Sequence, residues 1–209
     1  KKKASLAIVN KLQKKLDYKK QIKVKDSLKF LTKISSIFRE NIDTKIIAIT
    51  GSCGKTTLKE LLGKTLKKIS KTTISPKSYN NKYGVPLSLF NLSKNDNYGV
   101  LEVGMDKKGE IDYLSKIIKP DISVITNINY AHAKNFKNIK DIALAKSEII
   151  SNTKPNGFVI LNADDNFFRL HQNIAIKNNI NTISFGIKNQ KSDVKLINII
   201  KINNNFKIN

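Results

Sequence analysis

Between Ile46 and Leu62 the chain reads IIAITGSCGKTTLKELL. Two glycines, then a lysine and two threonines, make a loop whose backbone N–H groups can curl round an anion. The lysine adds a mobile positive charge, and a threonine hydroxyl is a hard ligand for magnesium. Gly51, Ser52, Cys53, Gly54, Lys55, Thr56 and Thr57 are therefore candidates for binding phosphate, with Thr56 a candidate metal ligand. The common phosphate loop G-x-x-x-x-G-K-[ST] would place its first glycine at position 49, where Ile49 stands, so this loop departs from that pattern. A plain glycine turn between a strand and a helix is the alternative.

Three further residues invite chemistry. Glu102 closes the apolar run YGVLEVG, where a carboxylate could hold magnesium opposite Thr56 or simply face water at a strand end. His132, one of two histidines, follows the run ISVITNI and is either a surface loop residue or a metal or phosphate contact. Lys146 stands out more. In NIKDIALAKSEII a helical stripe forms from Ile139, Ile142, Ala143, Ile149 and Ile150, and Lys146 falls within it. A lysine pointing inward must be paired, deprotonated or chemically converted; otherwise it snorkels from the edge of the stripe. Cys53, the only cysteine, excludes an internal disulfide. Its place at a helix start beside Lys55 favours the thiolate; the alternative is merely a small side chain that fits a tight turn.

The elements that would position these residues alternate along the chain. Apolar runs predict strands at Ile46 to Thr50, Thr72 to Ser75, Tyr98 to Val103, Ile122 to Ile128, Phe158 to Asn162 and Thr182 to Phe185, with helices filling most of the gaps. One predicted helix starts at Asp26 or Ser27 and runs to Arg39 with Leu28, Leu31, Ile34 and Phe38 on one face. Another follows the loop with Leu58, Leu61, Leu62, Thr65 and Ile69 on one face. A short β-like IKV precedes the first helix, and the two runs after Asp193 read as a hairpin. The alternation implies an α/β fold, a largely parallel sheet covered by helices on both faces. Such sheets bind ligands beyond the carboxyl ends of their strands. TGSCGKTT, LEVG, TNINYAH and NADD all fall on that edge.

The formal charge is +23. It comes almost wholly from lysines spread along the chain, with Arg39 and Arg169 the only arginines, so no nucleic-acid partner is expected. No apolar run is long enough to span a membrane, and no apolar leader is visible; a cytoplasmic location without membrane insertion is expected.

Taken together, ITGSCGKTTLKELL, NNKYGVPLSLFNL, LEVGMDKKGEIDYL, KPDISVITNINYAHAKNF, IALAKSEII and GFVILNADD resemble the Mur ligase family. The family's loop is G-x-x-G-K-[ST], so Ile49 is no defect. The string E-x-G-M-x-x-x-G-E-I points to the member that joins D-alanyl-D-alanine to a UDP-N-acetylmuramoyl-tripeptide. The resemblance implies ATP-dependent amide formation through an acyl phosphate, with ATP and Mg2+ as cofactors and those two molecules as substrates. It implies that Gly51 to Thr57 bind the ATP phosphates, Lys55 assists transfer, Thr56 and Glu102 share one magnesium, and His132 supports a second. Lys146 matches a lysine that is carbamylated to act as a ligand. Asn162 matches an adenine contact, and Asn81 one near the junction of phosphate and substrate. Ser78 departs from the asparagine common in N-x-N-N. The implied organisation is residues 1–25 as the end of a UDP-substrate domain, 26–43 as a connecting helix and 44–209 as an incomplete ATP-binding domain, with the C-terminal domain absent. A monomer is expected.

Overall fold

The computed structural model describes residues 4–130, 133–202 and 205–208. Seven strands form one wholly parallel sheet: β3 (Lys45–Thr50), β4 (Thr72–Ile74), β5 (Tyr98–Glu102), β6 (Ile122–Ile125), β7 (Phe158–Asn162), β8 (Asn181–Gly186) and β9 (Val194–Lys195). Their spatial order is β4-β5-β3-β6-β7-β8-β9. β3 thus sits where the strand order changes direction, with β5 on one side and β6 on the other. A crevice opens at that point, beyond the ends of the strands.

Central strands buried on both faces read as unbroken apolar runs. In β3, Ile46 and Ala48 face one layer while Ile47 and Ile49 face the other, all nearly or wholly buried. The first layer is the larger. It is closed by α3 (Gly84–Phe90), α4 (Glu110–Ile118), α5 (Ile139–Ser151) and α6 (Phe168–Lys177), with α1 (Ser27–Glu40) packed outside α3 and α4. α2 (Lys55–Leu66) covers the second face, where Leu58, Leu62 and Leu66 meet Ile47, Ile49, Val100 and Val124. The coverage is therefore unequal, and Phe158 on β7 stays partly exposed.

Several expectations need correction. In α2, Leu61 and Ile69 are 65% and 77% exposed, and the helix ends at Leu66. The buried face instead carries Lys59 and Gly63, because the glycine lets the helix backbone close on Ile74; a Cβ there would lie 2.4 Å from Ile74 Cδ1. In α1, Ile34 is substantially exposed, while Ser35 and Arg39 are buried. Arg39 donates to Asp121 at 3.0 Å and to the Ile118, Ile42 and Lys119 carbonyls, joining α1 to the end of α4 and the start of β6. Burial pulls its pKa down and the Asp121 carboxylate acts against that. β6 stops at Ile125, short of Ile128, because Thr126 and Asn127 turn their side chains to the phosphate-loop candidate.

Two small sheets lie apart from the large one. β1 (Ala7–Val9) pairs in parallel with β2 (Gln21–Lys23), the predicted IKV region. The runs after Asp193 divide: β9 joins the main sheet beside β8, and β10 (Ile199–Ile202) pairs with β11 (Asn205–Ile208) as an antiparallel hairpin.

Candidate active site

The loop from Gly51 to Gly54 leaves β3 and enters α2. Gly51 has φ 146°, and a Cβ on it would lie 1.9 Å from Thr126 Oγ1; Gly54 has φ 78° at the helix cap. Both positions require glycine, the first for space as well as conformation. The loop is held from outside: the Ser52 N–H donates to the Asn127 carbonyl and the Cys53 N–H to Asn127 Oδ1. Thr126 Oγ1 and Asn127 Nδ2 both donate to the Cys53 carbonyl, and Ser52 Oγ is bonded to the main chain of Asn129. Two amides are thus already occupied. The N–H groups of Gly54, Lys55, Thr56 and Thr57 make no bond to another described residue and open the first turn of α2, the arrangement that receives an anion.

Lys55 folds back, its Nζ donating to the Gly51 carbonyl at 2.8 Å and to that of Ser52 at 3.4 Å. Thr56 Oγ1 donates to Glu102 Oε2 at 2.8 Å. Glu102 is 1% exposed, so it does not face water at the strand end. Its second oxygen accepts from Asn80 Nδ2 at 2.7 Å. Thr56 and Glu102 therefore present hard oxygens side by side at the mouth of the loop, and Asn80 fixes the carboxylate's orientation. Among the described residues no cluster of three or more His, Cys, Asp or Glu forms. A cation there would be held by Thr56, Glu102 and ligand or water oxygens, a donor set that suits magnesium. His132 lies outside the described residues.

Lys146 is buried, and its Nζ donates to the Gly51 carbonyl at 3.0 Å, the same oxygen that Lys55 engages. Burial, with the neighbouring Lys55 charge, pushes its pKa from 10.5 down to about 7, while Cys53 acts in the opposite direction. Its inward position places it at the loop and not at the edge of a stripe. Cys53 is exposed.

The remaining predicted contacts separate. Asn81 borders the cleft, but its Oδ1 accepts from the Tyr83 and Gly84 N–H groups and so starts α3. Asn162 ends β7 with its Oδ1 accepting from Asp164 N–H, on the wall of a cavity of about 370 Å³ with Phe185 and Ile187. The sequence reading did not single out Asn80. Its signal was two consecutive asparagines before a helix, of which one suffices as the cap.

A larger cavity of about 760 Å³ opens beside the loop, lined by Lys55, Asn80 and Lys146 on one side and by Met105, Tyr113 and Leu114 on another. Lys29, Lys82, Lys107 and Lys108 also border it, which favours anionic ligands. The string MDKKGE forms part of its wall. Glu110 Oε2 accepts from the Asp106 and Lys107 N–H groups, and Glu148 on α5 accepts from those of Gly109 and Asp112. Two carboxylates therefore shape the 104–109 turn.

Comparisons with known proteins agree with this geometry. The family profile of the Mur ligase middle domain matches residues 49–209. The UDP-N-acetylmuramoyl-tripeptide--D-alanyl-D-alanine ligase of Buchnera aphidicola subsp. Acyrthosiphon pisum is 42% identical over 172 residues, covering 82% of this chain and 37% of the relative. A crystal structure of MurF from Acinetobacter baumannii superposes with a TM-score of 0.86 at 34% identity, covering 98% of this chain and 44% of that one. MurF from Thermotoga maritima in complex with ADP gives a TM-score of 0.82 at 28% identity, covering 98% and 46%. The chain thus spans less than half the length of these relatives. With its glycine loop, Thr56–Glu102 pair and buried Lys146 on one edge of a parallel sheet, the chain belongs to the Mur ligase family.

Proposed function

We propose that this chain is the nucleotide-binding core of an ATP-dependent amide ligase that joins D-alanyl-D-alanine to a UDP-N-acetylmuramoyl-tripeptide. The observation that carries the reading is the meeting of open loop amides and the Thr56–Glu102 pair at the start of α2, with buried Lys146 bonded to the Gly51 carbonyl of the same loop. The names of its relatives support the substrates, and the ADP complex of the Thermotoga maritima relative supports the nucleotide. We assign residues 44–209 to that core and 26–43 to the helix leading into it. Residues 1–25 are assigned to a preceding unit, in keeping with the separate β1–β2 pairing.

In this reading the Gly54 to Thr57 amides hold the ATP phosphates, and Lys55 exchanges its loop carbonyls for phosphate oxygens. Thr56 and Glu102 would hold Mg2+, which when bound offsets the charge gathered on the transferring phosphoryl. An oxygen of the tripeptide's terminal carboxylate attacks the γ-phosphorus and ADP leaves. The dipeptide amine then attacks the acyl carbon, loses a proton, and phosphate departs as the amide forms. The cleft lysines orient the anionic tripeptide, so the chain contributes mainly positioning and charge neutralisation. Lys146 acts as a carbamate: its neutral amine bonds to the carbon of CO2 and releases a proton, so that a buried amine becomes an anionic ligand.

Titration of the 209-residue chain with a fluorescent ADP analogue tests the reading. Saturable binding that magnesium tightens and Lys55→Ala weakens is expected. No binding by a folded chain would overturn it.

A further inference from the structure

Lys59 lies one turn beyond Thr56 on α2, and its side chain is wholly buried. No step of the proposed reaction uses it. Its Nζ donates to the Ser75 carbonyl at 2.8 Å and to the Lys77 carbonyl, with the Glu60 carboxylate 3.2 Å away. An ammonium so placed has given up its water, a loss tolerated only where its hydrogens are used. Leucine or methionine would fill the same face of the helix without that cost. The bonds made by the lysine therefore have a purpose beyond packing.

The segment it holds runs from the end of β4 to Asn80. Lys77 within it is left-handed, φ 44°, a conformation uncommon for residues other than glycine. The same segment bonds to β5 through the Ser75 N–H, which donates to the Val100 carbonyl at 2.9 Å, and it grips the end of the strand at three further points. Ser75 Oγ accepts from the Glu102 N–H at 3.3 Å, Asn80 Nδ2 donates to Glu102 Oε1, and the Asn80 carbonyl accepts from the Gly104 N–H at 2.8 Å. A Cβ on Gly104 would lie 2.9 Å from Asn80 Cγ, so the approach is already at its limit. One face of α2 thus carries both Thr56, which meets Glu102 directly, and Lys59, which fixes the segment that orients Glu102 from behind.

We propose that Lys59 is a positioning residue for the metal–nucleotide site: its buried ammonium locks the Ser75–Asn80 segment so that Glu102 is presented to Thr56. The inference rests on the nucleotide reading above and adds a residue to it.

The test uses the 209-residue chain and its Lys59→Met variant, with two readouts. The first is the affinity for a fluorescent ADP analogue with and without magnesium. The second is amide hydrogen exchange without either ligand. In Lys59→Met the tightening by magnesium should fall at least about tenfold, the usual cost of losing an outer-shell partner, while the magnesium-free affinity changes less than about twofold. Exchange at Glu102 and Gly104 should quicken, and that of α5 should not. Unchanged tightening and exchange in a folded variant would overturn the proposal, as would equal losses with and without magnesium, which mark a merely structural lysine. Should Lys59→Met fail to fold, Lys59→Gln, whose shorter amide cannot reach both the Ser75 and Lys77 carbonyls, must show the same selective loss; wild-type behaviour in Lys59→Gln would then overturn it. A wild-type chain that binds no nucleotide, or ignores magnesium, sinks the nucleotide reading and this inference together. Wild-type magnesium dependence that survives in Lys59→Met sinks this inference alone.

Discussion

Lys146 is the side chain whose chemistry should differ most from that of its many counterparts. Its pKa falls from 10.5 to about 7 because burial removes water from the ammonium and Lys55 lies close. At pH 7.5 about three-quarters of Lys146 would then be neutral, against roughly one in a thousand for an ordinary lysine, a difference of several hundredfold in nucleophilic amine. Equilibrating the chain with 13C-bicarbonate at that pH and recording its carbon NMR spectrum should give a carbamate resonance that is lost in Lys146→Met. A spectrum unchanged by the substitution would refute the argument. The same shift makes a statement about stability. The folded-state pKa lies below the unfolded one, so between about pH 7 and pH 10.5 the unfolded chain holds a proton that the folded chain has released. Stability therefore rises with pH across that window, and below it the full cost of the buried charge is felt. At about 1.4 kcal/mol per pKa unit the ceiling is about 5 kcal/mol, reduced by the loss of the Gly51 hydrogen bond in the variant. In CO2-free buffer Lys146→Met should gain stability most below pH 7, and the gain should shrink toward pH 10. A gain independent of pH in urea titrations would contradict the burial argument.

Other outcomes follow from single contacts. Asn80→Ala leaves Glu102 Oε1 without its donor and should weaken magnesium-dependent nucleotide binding about 10- to 100-fold, measured by the same fluorescence titration; an unchanged affinity would remove Asn80 from the site. Cys53 is exposed within the loop, so maleimide should label it, saturating Mg-ADP should slow the reaction, and intact-mass spectrometry reads both; equal rates would place the thiol outside the phosphate site. Arg39→Met strips a buried partner from Asp121, although Lys154 still pairs with that carboxylate at 2.9 Å. A loss of about 3 kcal/mol in denaturant unfolding is expected, and a loss under about 1 kcal/mol would show that Lys154 compensates fully.

The periodicity of NIKDIALAKSEII placed Lys146 inward, and the apolar runs placed six of the seven strands of the main sheet, because both signals depend on burial of whole faces. β9 has only two residues and leaves no such pattern. Lys59 was illegible for the opposite reason: by residue type Leu61 and Ile69 looked like the inner face of α2, whereas Gly63 and a lysine occupy it through backbone contacts that no pattern of apolar residues encodes. Asn81 was preferred to Asn80 by resemblance, and only the structure separates the asparagine that caps α3 from the one that reaches Glu102. Thr56 and Glu102 are 46 positions apart, and the pairing of β3 with β5 brings them together. The rule for strand ends put both residues on one edge of the sheet, although neither the pairing of β3 with β5 nor the direct hydrogen bond followed from it.

The central claim is that this site activates a carboxylate with ATP. It is tested most directly by the fate of oxygen in a protein that carries this chain at the full length of its relatives. With the terminal carboxylate of the UDP-N-acetylmuramoyl-tripeptide labelled with 18O, and with ATP and D-alanyl-D-alanine supplied, one labelled oxygen should appear in inorganic phosphate for each amide formed, as read by mass spectrometry. Amide formed with unlabelled phosphate, or without ATP, would contradict the acyl-phosphate route.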